Sequence, residues 1–362
     1  KIESAAHLDV LRQSGFDRIN CGFAFNTECR GRSSVALHLD TEEGRRLAFE
    51  LCARSDVVVE NFRGGVLDGL GLGYEDVKGP NPGVVYASSQ GYGRTGPLAG
   101  MPAYGPLNLG FVGLHLLWNH RDAPYPCGTS LNHPDHIAGK FLAAGVLAAL
   151  DHRSRTGEGQ HLDLAQTEFA AYTRGEVYME GWVAGADPGP SGNDSDSASP
   201  HGVFPARGED RWVAIVAAGD AEWAALCEVA GWAPDPDLAI LDQRLARSAE
   251  VAARVAAWTV GEDAVELSAA LQDRGVSAVP VMGPLEQLED EHLLARRFFV
   301  ELIHPEVGTE RHEGNPLRMS VTGLRTAAPA PCLGADTVEV LGRVLGVSPE
   351  DVGRLVAEGV CV

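Results

Sequence analysis

The chain has 362 residues, 44% of them hydrophobic and 22% charged, with a formal net charge of −21. That length suits two domains rather than one simple core. The acidic balance argues against a nucleic-acid partner, since phosphates need a basic surface, and against an anionic membrane surface; no run approaches the roughly 20 apolar residues of a membrane span. The seven cysteines are scattered, with no CxxC pair and no His/Cys cluster at metal-ligand spacing. The expectation is a cytoplasmic protein of reduced thiols that holds no metal.

No secretory leader opens the chain. It begins Lys1-Ile2-Glu3-Ser4 rather than at Met, and so reads as cut, processed or truncated. Ser34 to Leu39 alternates as a strand does. Asp40-Thr41-Glu42-Glu43 reads as a capping box, Asp40 the cap and Glu43 its partner, opening a helix with Leu47, Ala48, Leu51 and Cys52 inward. Asp56 to Glu60 is a β-branched run, expected as a buried parallel strand, and ends at Asn61-Phe62-Arg63-Gly64-Gly65. Gly83 to Ser88 is a second such run and ends at Ser89-Gln90-Gly91-Tyr92-Gly93. Strand–helix–strand alternation with glycines after the strands predicts an open α/β sheet that binds ligands beyond its carboxyl edge. His161 to Ala165 alternates as a strand, and a long helix is expected from about Gln166 to Val183. The stretch from Gly185 to Pro200, dense in Gly, Pro, Asp and Ser, marks a domain boundary or mobile loop. Beyond it come a strand at Trp212 to Val216 and a helix at Asp220 to Ala230 with Trp223 and Leu226 inward. Helices near Asp237 to Trp258 and Glu262 to Asp273 follow, then a strand at Val276 to Val281. From Leu317 a Pro-rich connector leads to an amphipathic helix carrying Val338, Leu341, Val344 and Leu345, and to a last helix at about Pro349 to Glu358. The expected division is 1–184 for a large domain, 185–316 for a small one, and 317–362 returning to the large domain.

The stretch from Pro126 to Gly139 carries the candidate chemistry. A loop ends at Pro134, and Asp135 stands at the mouth of a helix rich in small residues, running through Phe141, Leu142, Val146 and Leu150. A carboxylate there feels the positive end of the helix dipole and stays ionised near neutral pH. Spacing alone reads Asp135 as an ordinary N-cap.

Several segments together resemble the family III CoA-transferases, the CaiB/BaiF-type relatives of formyl-CoA and carnitine-CoA transferase. They are Arg30 to Leu37, Asp56 to Leu67, Asn81 to Tyr86, Gly91 to Pro97, Arg155 to Gln160, Pro200 to Val203 and Leu333 to Thr337, in order over nearly the whole chain. The resemblance implies a Rossmann-like large domain with an open parallel sheet, a smaller central α/β domain and an interlocked dimer. It makes Asp135 the nucleophile, matching an aspartate some twenty residues before the RTGxGQ-like turn. Asp135 would attack an acyl-CoA thioester to give a mixed anhydride, then carry CoA as an aspartyl thioester, and pass it to an incoming carboxylate without ATP or metal. Coenzyme A is thus the co-substrate, with an acyl-CoA donor and a carboxylic acid acceptor as partners. Asn61 and Phe62 match positions at the CoA adenine and ribose, and Arg30 and Arg32 the basic loop near its phosphates. Arg63, Ala103 and Tyr104 complete the implied CoA set. Taken without the family, Asn61 is a turn residue, Phe62 a core aromatic and the arginines a solvated face. Gly192-Asn193 sits where the family has a glycine-containing loop that closes over the active site, and equally fits a plain linker.

The same resemblance places a strand, helix and loop before the residues matching Lys1-Ile2-Glu3. The expectation is therefore a fragment of a longer or fused polypeptide, or a second chain supplying that piece to what is otherwise a homodimer. Gly69 stands where formyl-CoA transferase relatives carry an arginine for CoA, and Gly105 where many carry an acidic residue facing the nucleophile. Tyr104-Gly105-Pro106 is similar to a branch that handles larger or aromatic acyl groups. Two alternatives remain: a non-catalytic or partial subunit of a fused or heteromeric CoA-transferase, and an acyl-CoA racemase, which needs a His base where Tyr104 stands.

Overall fold

The computed structural model describes residues 1–14, 18–126, 133–323 and 328–361. The chain forms two compact units. One is Lys1–Val112 with Ser130–Glu176 and Asp290–Val362; the other is Gly113–Thr129 with Val177–Glu289.

In the first unit, β1 (Ile2–Glu3) pairs in parallel with β2 (Val35–Ala36). Strands β3 (Val57–Glu60), β4 (Val85–Gln90) and β5 (Gln160–Ala165) form a parallel sheet in that order. Every residue of β4 is buried, as a central strand covered on both faces demands. The β3 run is parallel as expected but not buried throughout: it hydrogen-bonds only to β4 among the described strands, and Val59 is 64% exposed. The helix Glu42–Ala53 packs Leu47, Ala48 and Leu51 inward. Its cap is Thr41 rather than Asp40, the Thr41 side chain accepting from Gly44 N–H at 3.0 Å. This core joins both ends of the chain: Leu37, Leu47 and Tyr86 lie with Leu341, Val352, Leu355 and Val360. Burying each such side chain contributes about 1.5–3 kcal/mol.

A fully buried arginine anchors the start of the chain. Arg12 Nε and Nη2 donate to the two oxygens of Glu3 at 2.9 and 2.8 Å, Nη1 to Asn20 Oδ1 at 3.0 Å, and Nη2 also to the Pro331 carbonyl at 3.2 Å. The guanidinium lies 3.7 Å from the Phe25 ring centroid.

The helical stretch expected from Gln166 to Val183 is two helices, Gln166–Tyr172 and Gly175–Ala184. Between them Thr173 Oγ1 donates back to the Ala170 carbonyl, and Arg174 turns in to donate to the Val112 carbonyl. Of the later strands, β6 (His201–Pro205), β7 (Trp212–Val216) and β8 (Ser277–Pro280) belong to the second unit, and β9 (Phe299–His304) and β10 (Gly308–Glu313) to the first. The β9–β10 hairpin was not legible as strands, because its inward positions include His304 and His312 rather than aliphatics.

In the second unit β6, β7 and β8 form an antiparallel sheet in that order. Trp223 and Leu226 of Asp220–Val229, Val251 and Val255 of Ser248–Thr259, and Leu267 and Leu271 of Ala264–Gln272 share its core. Among the described residues no helix is long and apolar enough to cross a membrane.

Candidate active site

Asp135 lies in the first turn of the helix His133–Thr156, between buried Pro134 and Ala138. Residues 127–132 of the loop before it lie outside the described residues. The helix already includes His133, so Asp135 is a first-turn residue rather than its cap. Its half-buried carboxyl lies by the backbone N–H of Gly105 and the side chain of Gln166.

Two further helices begin beside it. Gly105–Phe111 opens at Gly105 with Tyr104 as its cap, and Gln166–Tyr172 follows directly on β5. Both are set against the loop after β4. Thr167 donates to the Gly91 carbonyl through its N–H at 3.0 Å and its hydroxyl at 2.8 Å. A Cβ added at Gly91 would fall 2.0 Å from the Ala103 methyl, so a side chain there would push the Ala103-Tyr104 segment outward. Fully buried Asn108 donates through Nδ2 to Gln166 Oε1 at 2.7 Å. Asp135 thus lies beside segments that follow the carboxyl ends of β4 and β5, where ligands bind in open α/β sheets.

Burial pushes the Asp135 carboxyl above its ordinary value, while the His136 charge, the Gln166 amide and the Gly105 N–H pull the other way. A carboxylate whose folded-state pKa is raised destabilises the fold once ionised. That cost is absent below the unfolded-state value and complete above the folded-state value. Asp135→Asn is therefore expected to melt higher than the parent near pH 7, the difference shrinking as the pH falls through the carboxyl range; thermal scans across pH check this.

Asn61, Phe62 and Arg63 form the exposed turn that follows β3, with Phe62 50% exposed. Buried Glu60 shapes this turn: Oε2 accepts from Phe62 N–H at 2.8 Å and Oε1 from Gln90 Nε2 at 3.2 Å. Burial raises the Glu60 pKa, against hydrogen bonds from Ser88 and Phe62. Arg30 is already engaged, with Nε donating to the Thr27 carbonyl at 2.9 Å and Nη groups on the Glu313 carbonyl and carboxylate. Arg32 is exposed and donates to the Glu28 carbonyl at 3.0 Å. The Glu28 carboxylate pairs with His136 Nδ1 at 3.4 Å, tying the arginine loop to the start of the Asp135 helix. Ala103 is half-buried over Gly91, and Tyr104 is 68% exposed. The structure thus brings Ala103 and Tyr104 next to Asp135, puts Asn61 to Arg63 at the end of a strand in the same sheet, and leaves Arg32 with its charge unshared among the ion pairs described. In the second unit, Gly192 has φ +61° and donates to the Asn119 carbonyl at 3.1 Å, and the Asn193 carbonyl lies 2.8 Å from His201 Nδ1.

Sequence reasoning missed Glu60, Gln90, Asn108 and Gln166. Glu60 and Gln166 read only as the end of a strand and the start of a helix, and no motif singles out Asn108. The described residues contain no group of three or more His, Cys, Asp or Glu side chains arranged to hold a metal ion.

The model for CoA-transferase family III matches residues 1–337. The chain belongs to CoA-transferase family III. Within that family it is 32% identical to the "Probable CoA-transferase Rv1866" of Mycobacterium tuberculosis, over 99% of this chain and 46% of that protein. It is 29% identical to the succinyl-CoA–D-citramalate CoA-transferase of Chloroflexus aurantiacus, over 91% of this chain and 83% of that protein. The chain therefore spans less than half the length of the first relative and most of the second. Among solved structures, a CaiB/BaiF family protein from Brucella suis superposes with a TM-score of 0.86 at 28% identity, covering 95% of this chain and 91% of that one. The mixed α/β fold with its parallel sheet is the fold of that family.

Proposed function

We propose that this chain moves CoA from an acyl-CoA thioester to a free carboxylic acid, with Asp135 as the nucleophile. The observation that carries this reading is the Asp135 carboxylate itself. It is half-buried in the first turn of its helix, beside Gly105 and Gln166, where helices follow the carboxyl ends of β4 and β5.

One carboxylate oxygen of Asp135 attacks the acyl carbonyl; the C–S bond breaks, leaving a mixed anhydride and CoA thiolate. The thiolate attacks Asp135 Cγ, the bond to the bridging oxygen breaks, and the first acid departs with that oxygen. The acceptor carboxylate then attacks Cγ of the aspartyl thioester and expels the thiolate. The thiolate takes the acceptor's acyl carbon, which restores the Asp135 carboxylate and releases the new acyl-CoA. The acceptor's oxygen replaces the one that was lost, so atoms and charge balance over the cycle.

In this reading Asn61, Phe62 and Arg63 meet the nucleotide end of CoA. Arg32 meets its phosphates, Arg30 braces the same loop against Glu313, and Ala103 and Tyr104 flank the reacting end. The first compact unit supplies the CoA-binding domain, with the stretch from Asp290 onward returning to it, and the second unit is the small domain. The protein works in the cytoplasm as a homodimer. The named relative from Chloroflexus makes succinyl-CoA and hydroxydicarboxylic acids the first donor and acceptor to try.

A screen of acyl-CoA donors against carboxylic acids, following new thioesters by chromatography, tests the reaction. Transfer without ATP is expected. Exchange of the α-proton with no acid acceptor present would point instead to racemase chemistry. Phe62→Ala is expected to raise the KM for acyl-CoA about 10-fold with little change in kcat, since losing an exposed stacking contact removes binding shared by ground and transition states. An unchanged KM would remove Phe62 from the CoA site.

A further inference from the structure

We infer that Gln166 holds the oxyanion that forms on Asp135 itself, with the Gly105 N–H as the second donor and Asn108 as the residue that orients Gln166. This rests on the reading of Asp135 as nucleophile and adds a step-specific role to it.

Two kinds of tetrahedral carbon arise in the proposed cycle. In one the reacting carbon belongs to the substrate acyl group. In the other it is Asp135 Cγ, attacked by thiolate or by the acceptor carboxylate. In that second kind the negative charge collects on the Asp135 oxygen that is never exchanged. Donors already facing the carboxylate in the resting protein meet that oxygen with little reorganisation.

The direction of the Gln166 amide follows from chemistry. A carboxylate only accepts hydrogen bonds, so the end of Gln166 turned to Asp135 must be its NH₂ group. Oε1 then faces Asn108, whose Nδ2 donates to it at 2.7 Å. Asn108 is fully buried on the helix that begins at Gly105, so one short helix carries both the backbone donor and the residue that aims the side-chain donor. Asn108 Oδ1 is buried with no hydrogen-bond partner, so the contact to Gln166 is what its side-chain amide gains in return for burial. At the other end, Thr167 fixes the start of the Gln166 helix to the Gly91 carbonyl by two bonds. The side chain is thereby held from both directions, as a preorganised donor must be. Gln166 is a catalytic residue in this scheme because it touches a reacting atom; Asn108 is a positioning residue.

The test separates the two kinds of step. The protein is mixed with acyl-CoA alone and quenched at intervals. Free thiol reports attack of Asp135 on the substrate, and CoA bound to protein, read by intact mass, reports attack of thiolate on Cγ. In Gln166→Leu, CoA loading is expected to slow by about 10²–10³-fold, the loss typical of removing one oxyanion donor, while thiol release is retained. The free thiol accumulates as the anhydride hydrolyses. Gln166→Met keeps the length of the side chain while removing the donor, and should show the same split; it serves if the leucine variant melts early. Loading at the parent rate in either folded variant, or thiol release and loading falling by the same factor, overturns the inference. If the parent protein releases thiol but never carries CoA, the aspartyl thioester reading fails first, and the role of Gln166 falls with it.

Discussion

Asp135→Ala is expected to abolish CoA transfer, with a loss on the order of the ~10⁶-fold seen when a catalytic nucleophile is removed. In the proposed mechanism the reason is covalent: the anhydride and thioester intermediates both form on the Asp135 carboxyl, which alanine lacks. Binding of CoA should survive, because the residues proposed to contact its nucleotide lie at the end of β3 and in the loop before β2. Incubating the parent protein with an acyl-CoA and hydroxylamine should convert the peptide containing Asp135 to a hydroxamate, and the alanine variant should stay unmodified. A modified parent would end the reading of the chain as a non-catalytic subunit. An alanine variant that still transfers CoA would move the nucleophile elsewhere. Because burial disfavours the charged form of Asp135, the same substitution is not expected to lower stability much, which separates this outcome from simple unfolding.

Glu3→Ala is expected to have the largest effect on stability. It would leave the Arg12 guanidinium fully buried without its carboxylate partner. Breaking a buried pair from one side costs about 3–5 kcal/mol, since the surviving charge keeps its desolvation penalty. For a unit of this size that corresponds to a fall in Tm of about 10 °C, measurable by calorimetry. Asn20 and the Pro331 carbonyl still accept from Arg12 and soften the loss without neutralising the charge. Replacing both residues together, Glu3→Leu with Arg12→Met, should recover most of the stability, because well-packed apolar groups can replace a buried ion pair at little cost. Equal losses in the single and double variants would show that packing against Phe25, not charge, is what Arg12 contributes.

The β-branched run at Val84 to Val85 announces β4, since a strand covered on both faces needs apolar side chains on both; the run at Val57 to Val59 announces β3 by strand preference alone, because β3 is partly exposed. The position of Asp135 as the candidate nucleophile came from resemblance; its spacing alone spoke for a cap. What the sequence does not carry is partner choice among polar groups. Thr41 and Asp40 are both good caps, and only the chain path into the helix selects Thr41. Gln166 and Asn108 are 58 residues apart and meet only when β5 and the loop after β4 have closed. The hairpin Phe299 to Glu313 hides for a related reason: His304 and His312 face inward, and their polarity masks the alternation. A helix reads straight through Thr173 and Arg174 because neither is a strong breaker; in the structure Arg174 donates to a distant acceptor, the Val112 carbonyl.

The strand segment at Leu37 is flanked by Cys361 and its neighbour His38 bonds to the Val360 carbonyl, while Ser34 is held by Asp336. During synthesis, Ser34 to His38 must therefore wait for Asp336 to Cys361, with the whole second unit emerging from the ribosome in between. That unit has a contiguous stretch, Val177–Glu289, from which to build most of its core while translation continues. The first unit cannot close its core until Cys361 has emerged, so nascent chains stalled before Asp336 should be degraded from the first unit.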